Sequence, residues 1–131
     1  MPQTQYLLGL DFGTDSVRAV VVNAASGKEE ANQVARYQRW GQGLYCDPTR
    51  NRFRQHPLDY LEGLEEAVRN ALAQLPKGAG RRVLGIGIDT TGSTPCAVTR
   101  DGTPLALSPF PANQAFEPFA LRKRSLIRSR R

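Results

Sequence analysis

The stretch Gly9-Leu10-Asp11-Phe12-Gly13-Thr14-Asp15-Ser16-Val17-Arg18 decides how this chain is read. It joins an apolar run, Tyr6 to Leu10, to a second run rich in β-branched residues, Val17 to Val22, through a short link that contains a glycine. Runs so close together leave no room for a helix between them, so the segment predicts an antiparallel hairpin. Ser26-Gly27-Lys28 marks a further turn, after which Ala31, Gln33, Ala35 and Tyr37 alternate with Asn32, Val34 and Arg36. A third strand is therefore expected, and the chain opens as a three-stranded antiparallel meander.

Beyond the meander, Arg39 to Gln55 holds two glycines, a proline and no sustained period, and is expected to be a loop crossing the surface. Leu58, Leu61, Leu64, Val68, Leu72 and Leu75 then recur at spacings of three and four, opposite Glu62, Glu66, Arg69 and Asn70. This predicts a helix with one apolar stripe against the sheet, with Pro57 in its first turn and Pro76, Gly78 and Gly80 as its stop. Val83-Leu84-Gly85-Ile86-Gly87-Ile88 is a continuous apolar run and reads as a strand buried on both faces. A helix followed by a strand implies a crossover, so this strand is expected to lie parallel to one of the first three. Ala97 to Thr99, Asp101-Gly102 and Pro104 to Leu107 read as another hairpin, and Pro109, Pro111 and Pro118 then interrupt any regular element.

A chain of 131 residues suits one domain. Its 40% hydrophobic and 23% charged residues are the composition of a soluble globular protein. No apolar run approaches the ~18 residues a membrane helix needs, and Asp11 interrupts the one near the start, so neither a membrane span nor a secretory signal is expected. Lys and Arg number 18 against 12 Asp and Glu, but six of those bases lie in Arg122–Arg131, which contains no acid, leaving twelve against twelve in the body. The net charge of +6 therefore describes a basic tail and not a basic binding face. Cys46 and Cys96 have no paired spacing and there is one histidine, which argues against a zinc site or a disulfide framework and fits a reducing cytoplasm.

Two strands end in an Asp followed by small and hydroxyl residues: Asp11-Phe12-Gly13-Thr14-Asp15-Ser16 and Asp89-Thr90-Thr91-Gly92-Ser93-Thr94. A glycine in a tight turn lets backbone amides approach a phosphate, hydroxyls add donors, and a carboxylate at a strand end can hold Mg²⁺ directly or through water. Asp-Gly and Gly-Ser are also ordinary turn chemistry, so both readings stand on these residues alone. The immediate return of the chain into Val17 favours the phosphate reading. Neither a G-x-G-x-x-G pattern nor a Walker loop is present.

Gly9 to Arg18 resembles the opening of the FGGY carbohydrate kinases, members of the actin-like ATPase superfamily with a ribonuclease H-like core. Arg39-Trp40, Gly43, Tyr45-Cys46-Asp47, Asn51, Phe53-Arg54-Gln55-His56-Pro57, Asp59-Tyr60 and Gly85 to Pro95 narrow the resemblance to the members that phosphorylate L-ribulose in arabinose breakdown. It covers roughly residues 5 to 112. The resemblance implies an α/β fold with a mixed ribonuclease H-like sheet, forming an incomplete first kinase domain over 1–118, and the residues beyond it, 119–131, are expected to be a basic, disordered and non-homologous tail. It implies phosphoryl transfer from ATP to the 5-hydroxyl of L-ribulose with Mg²⁺. Asp11, Gly13, Thr14 and Ser16 would take the phosphate and Mg²⁺ roles, with Asp11 as the metal residue, and Asp89, Gly92, Ser93 and Thr94 would line the sugar side.

The family's base Asp, its lysine-bearing sugar segment and its adenosine-binding domain lie further along a much longer chain. No catalytic residue is thus expected here, and no activity from this chain alone. Where the family continues with a Trp-Lys-Asp-His-like stretch, this sequence has Phe119-Ala120-Leu121-Arg122-Lys123-Arg124, as a frameshift would produce. The expected partners are a sugar and ATP, with neither membrane nor nucleic acid. Two other readings are a xylulokinase- or glycerol kinase-like enzyme, against which the Trp40 to Tyr60 segment argues, and a non-catalytic binding module using the tail. His56 reads as a helix-terminal packing residue and not as a base. Trp40, Tyr45 and Phe53 are expected to pin their loop, and Cys96 to sit near the sugar without reacting.

Overall fold

The computed structural model describes residues 3–108. In chain order they form β1 (Tyr6–Phe12), β2 (Ser16–Asn23), β3 (Glu29–Arg36), α1 (Gln38–Gly41), β4 (Cys46–Asp47), β5 (Arg52–Phe53), α2 (Pro57–Ala73) and β6 (Val83–Thr90). Short 3-10 turns at Pro48–Arg50, Ala79–Arg82 and Leu105–Leu107 complete the list of helical segments. These residues divide into two compact units, one of the chain up to Arg36 with Tyr60–Thr91, the other of Tyr37–Asp59 with the described residues from Gly92 on. The expected tail over 119–131, and the departure near Pro118, lie outside the described residues.

The first unit is a four-stranded mixed sheet in the order β3-β2-β1-β6. β1–β2 and β2–β3 are antiparallel, whereas β1–β6 is parallel, so both the meander and the crossover form as expected. The β1–β2 turn is closed by the Gly13 amide donating to the Ser16 carbonyl at 2.9 Å. Gly13 does not adopt a positive φ. A Cβ there would stand 3.3 Å from the Ser16 carbonyl oxygen, so close backbone approach is what the turn asks of this residue. In the β2–β3 turn Gly27 does adopt the left-handed conformation, φ 71°, and the Asn23 side chain accepts from the Ala25 and Ser26 amides.

One sheet face forms the core. Tyr6, Leu8 and Leu10 of β1, Val17, Ala19 and Val21 of β2, and Ala31 and Ala35 of β3 are all buried. Alternation with period two puts exactly these residues on one side, and α2 supplies the opposing surface. The stripe that α2 buries differs from the leucine stripe read in the sequence. Gly63, Ala67 and Ala71, four residues apart, are the buried positions, while Leu64, Val68 and Leu72 are half-buried at their flanks and Leu61 is 52% exposed. Small residues thus form the buried line of the helix, and the leucines cover its sides. The Phe12 and Tyr60 rings meet at 5.8 Å, tying the end of β1 to α2. Arg82 donates to the Thr4 carbonyl at 3.1 Å and lies over the Tyr6 ring, fixing the entry of β6 beside the start of β1.

β6 is present and parallel, but it is not buried on both faces. Leu84, Ile86 and Ile88 are 60 to 65% exposed. β6 is the edge of the sheet, and no described strand pairs with its outer side. The apolar run reports the strand's composition correctly, while its neighbours on that side are absent from the described residues.

In the second unit, the expected loop over Arg39 to Gln55 is a knot of short elements. α1 is followed by the two-residue β4–β5 ladder, which turns through Asn51 in the left-handed conformation, φ 49°. The expected hairpin beyond Cys96 is reduced to one bridge, Val98 with Pro104, its turn closed by the Gly102 amide on the Thr99 carbonyl at 3.0 Å. Among the described residues no helix is long and apolar enough to cross a membrane.

Candidate functional site

Asp11 and Asp89 are register partners on neighbouring parallel strands, near the C-terminal ends of β1 and β6. Both are exposed, on the sheet face opposite the α2 core. The two strand-ending aspartates of the sequence are thus brought side by side. Across β1 on the other side, Arg18 of β2 is the ladder partner of Asp11. The row Asp89, Asp11, Arg18 lines a shallow depression of about 500 Å³, whose floor includes Gly9 and Gly87. The glycines leave the backbone bare there, so a ligand can lie close against the sheet.

Two adjacent carboxylates with the rest of the coordination sphere open suit a hard cation that keeps waters and phosphate oxygens as its other ligands, as Mg²⁺ does. The described residues hold no group of three or more His, Cys, Asp or Glu side chains that could hold a metal ion, and Asp11 and Asp89 belong to none. Arg18 adds a fixed positive charge on the same face, suited to an anionic oxygen. The sequence reading assigned Arg18 no role. Its signal was the hairpin parity, which sets it opposite Asp11 once the turn is placed.

The other expected phosphate residues sit in or beside the β1–β2 turn. The Gly13 amide is engaged by the Ser16 carbonyl, and the Ser16 hydroxyl donates to Asp15 Oδ1 at 2.9 Å. Asp15 in turn accepts from Arg36 at 3.1 Å. The turn is therefore braced from within, and Thr14 is exposed at its tip. Gly92, Ser93 and Thr94 follow β6 in the chain and belong to the second unit, Gly92 and Ser93 exposed and Thr94 half-buried.

The second unit is organised around a carboxylate to which the sequence reading gave no structural part. Asp59 is 1% exposed; its Oδ1 accepts from the Arg39 amide at 3.2 Å and from the Arg39 guanidinium at 2.9 Å, and its Oδ2 accepts from the Trp40 amide at 3.1 Å. It thereby satisfies the open amides at the start of α1. His56 is buried, its Nδ1 accepts from the Leu58 amide at 3.1 Å and its carbonyl accepts from the Asp59 amide, so it caps α2 as expected. Its ring packs 5.2 Å from Tyr45, and Trp40 packs 6.4 Å from Phe53, so these aromatics do pin the segment. The hydroxyl of Thr49 holds the Asp47 carboxyl below its ordinary value, and that of Thr99 does the same for Asp101. Desolvation pushes the Cys96 thiol up, away from the thiolate that a nucleophile requires.

Comparison with known proteins follows the motifs. No family model matches the chain. It is 50% identical over 105 residues to a ribulokinase of Vibrio parahaemolyticus, a match covering 80% of this chain and 18% of that protein. It is 36% identical over 109 residues to a ribulokinase of Halalkalibacterium halodurans, covering 79% of this chain and 19% of that one. Against a ribulokinase of Mycolicibacterium smegmatis the identity is 37% over 108 residues, 77% of this chain and 19% of the relative. The chain thus spans about a fifth of the length of the curated relatives it matches. The resemblance read from its motifs holds: this chain is similar to the N-terminal part of the ribulokinases.

Proposed function

We propose that this chain carries part of the phosphate and sugar cleft of a ribulokinase, an enzyme that transfers the γ-phosphoryl group of ATP to the 5-hydroxyl of L-ribulose in arabinose breakdown. The observation that carries the reading is the register pairing of Asp11 with Asp89, on a segment similar to ribulokinases at up to 50% identity. An antiparallel meander followed by a helical crossover into a parallel strand supports a ribonuclease H-like sheet as the framework. The reading includes ATP and a sugar as partners and a cytoplasmic location.

Phosphoryl transfer depends on positioning and on neutralising charge as it develops. In this reading Asp11 holds Mg²⁺, with Gly13, Thr14 and Ser16 shaping the turn that faces the phosphates. Asp89, Gly92, Ser93 and Thr94 take the sugar side. Bound Mg²⁺ would neutralise phosphate charge. Arg18 meets the anionic oxygens from across β1, and the bare backbone at Gly9 and Gly87 lets them approach. The resemblance assigns no general base to these residues, so the chain alone is proposed to be inactive, since a base contributes about 10²–10⁴-fold and orientation and closure more.

Two assays test this. Residues 5–108 replace the matched segment of the Vibrio ribulokinase, and ADP release with L-ribulose is followed. The hybrid is expected to turn over, and Asp11→Ala is expected to lower kcat at least about 100-fold, the scale of removing one electrostatic stabiliser. A folded hybrid inert towards L-ribulose overturns the assignment. The chain alone is expected to show no turnover above background; sustained turnover lost in Asp11→Ala overturns the inactivity.

A further inference from the structure

We infer that Asp15 is a positioning residue of the β1–β2 turn and that Arg36 is its counter-charge, an arrangement that lets a carboxylate stand in a turn meeting a polyphosphate. The inference rests on the phosphate reading of that turn given above and deepens it. Asp15 uses its two oxygens on different elements. Oδ1 accepts from the Ser16 hydroxyl at 2.9 Å, at the start of β2, and Oδ2 accepts from the Arg36 guanidinium at 3.1 Å, at the end of β3. Ser16 and Arg36 are themselves register partners across the β2–β3 ladder. The three side chains therefore tie the turn to the third strand, 21 residues along the chain. An ionised carboxylate only accepts, so Ser16 spends its one hydroxyl hydrogen on Asp15: it shapes the turn and does not donate to the ligand.

Side-chain alternation puts this group on the face that carries the aspartates. Ser16 has the parity of Arg18, and Arg36 has that of Val34, the ladder partner of Arg18, whereas Val17 and Ala35 between them are buried in the core. Arg36 thus shares one face and one end of the sheet with Asp11, Arg18 and Asp89. An uncompensated carboxylate beside a triphosphate repels it, and at a solvated site the repulsion changes affinity by a few-fold and is screened by salt. Arg36 cancels that charge from outside the turn. The two side chains are 80% and 50% exposed, and an ion pair so exposed adds little to the stability of the fold. Its consequence falls on the charge that the turn presents to its ligand.

Positioning is tested on the full chain by amide hydrogen exchange. Asp15→Ala is expected to speed exchange of the Gly13 amide, which closes the turn on the Ser16 carbonyl, at least about threefold. The Asn23 amide, which donates to the Lys28 carbonyl in the next turn, is expected to keep its rate. A Gly13 rate unchanged in Asp15→Ala overturns the positioning role. Charge compensation is tested in the hybrid kinase described above. Arg36→Ala is expected to raise KM for ATP about threefold or more, with a larger rise at low salt and with kcat changed less than KM. Arg36→Lys, which keeps the cation, is expected to stay near the parent. Asp15→Asn added to Arg36→Ala is expected to bring KM back towards the parent, because it removes the charge that the first change uncovers; a packing defect would not be repaired in this way. Far-ultraviolet circular dichroism checks that each variant is folded. A KM indifferent to Arg36→Ala, or a double variant no better than Arg36→Ala alone, overturns the inference and leaves the kinase reading standing. A parent hybrid inert towards L-ribulose overturns that reading and the inference with it.

Discussion

Asp59 and Arg39, twenty residues apart, form a carboxylate–guanidinium contact of 2.9 Å in which the acid is wholly enclosed and the base only one-quarter exposed. The same carboxylate also holds the Arg39 and Trp40 amides, so one buried charge fixes both a side chain and a helix start. Asp59→Ala removes the acceptor of a guanidinium and of two backbone amides at once, and the expected cost is about 3 kcal/mol. Urea unfolding measures it, and a loss below about 0.5 kcal/mol, the range of ordinary surface changes, contradicts the anchoring role.

The helix seam gives a paired prediction with opposite signs to those of the leucine pattern. Leu61→Ala is expected to change stability by less than about 0.5 kcal/mol, because Leu61 is 52% exposed. Ala67→Leu, at a position with no exposure, is expected to cost about 1–3 kcal/mol by overpacking. The two unfolding midpoints, compared with that of the parent chain, decide between a small-residue and a leucine seam.

Asp47 and Asp101 contribute to the acid response of the second unit. Both carboxyls are held below the ordinary value of 3.8, chiefly by the hydroxyls of Thr49 and Thr99. A depressed folded-state value gives stability that is fully present above the unfolded value and is lost as the pH falls through the folded one. Loosening of the β4–β5 ladder and of the turn at Asp101 is therefore expected below 3.8 and not above it. Carboxyl NMR titration reads the individual groups, and Thr99→Val is expected to move Asp101 back up towards 3.8.

Removal of Arg122–Arg131 is expected to leave the thermal midpoint nearly unchanged, since a run of six bases without acids or apolar period has little to bury. Calorimetry with and without these residues decides it, a drop of several degrees being the contrary outcome. The same deletion separates the binding-module reading, in which nucleic-acid affinity falls steeply with salt and disappears with the tail.

The parts of this fold legible in the sequence were those set by local pattern. Short apolar and β-branched runs placed β1 and β2, alternation placed β3, and the crossover rule made β6 parallel to one of them; its pairing with β1 is what makes the strand-ending aspartates neighbours. The parts that were not legible depend on what lies opposite. Leucines at spacings of three and four mark an apolar arc on α2, but the centre of that arc is Gly63, Ala67 and Ala71, which a hydrophobic pattern underweights. An apolar hexamer gave β6 without revealing its exposure, because exposure is a property of the neighbouring strand. Asp59 entered the sequence analysis only within the motif Asp59-Tyr60, and its anchoring part was not legible because its partners Arg39 and Trp40 lie across a segment with no period.

The pairing of β1 with β6 also bears on when the carboxylate pair comes into being. Contacts within the meander close over short loops, whereas Asp11 meets Asp89 only after the intervening chain, α2 included, has been laid down. Loop-closure entropy makes such a contact late relative to hairpins. On a ribosome the β1–β2–β3 meander is complete well before residue 89 is added, and at that stage Asp11 sits on an edge strand. The pairing of the two carboxylates is therefore an outcome of the final pairing step of this unit, and a probe of their proximity reports the order in which its strands are joined.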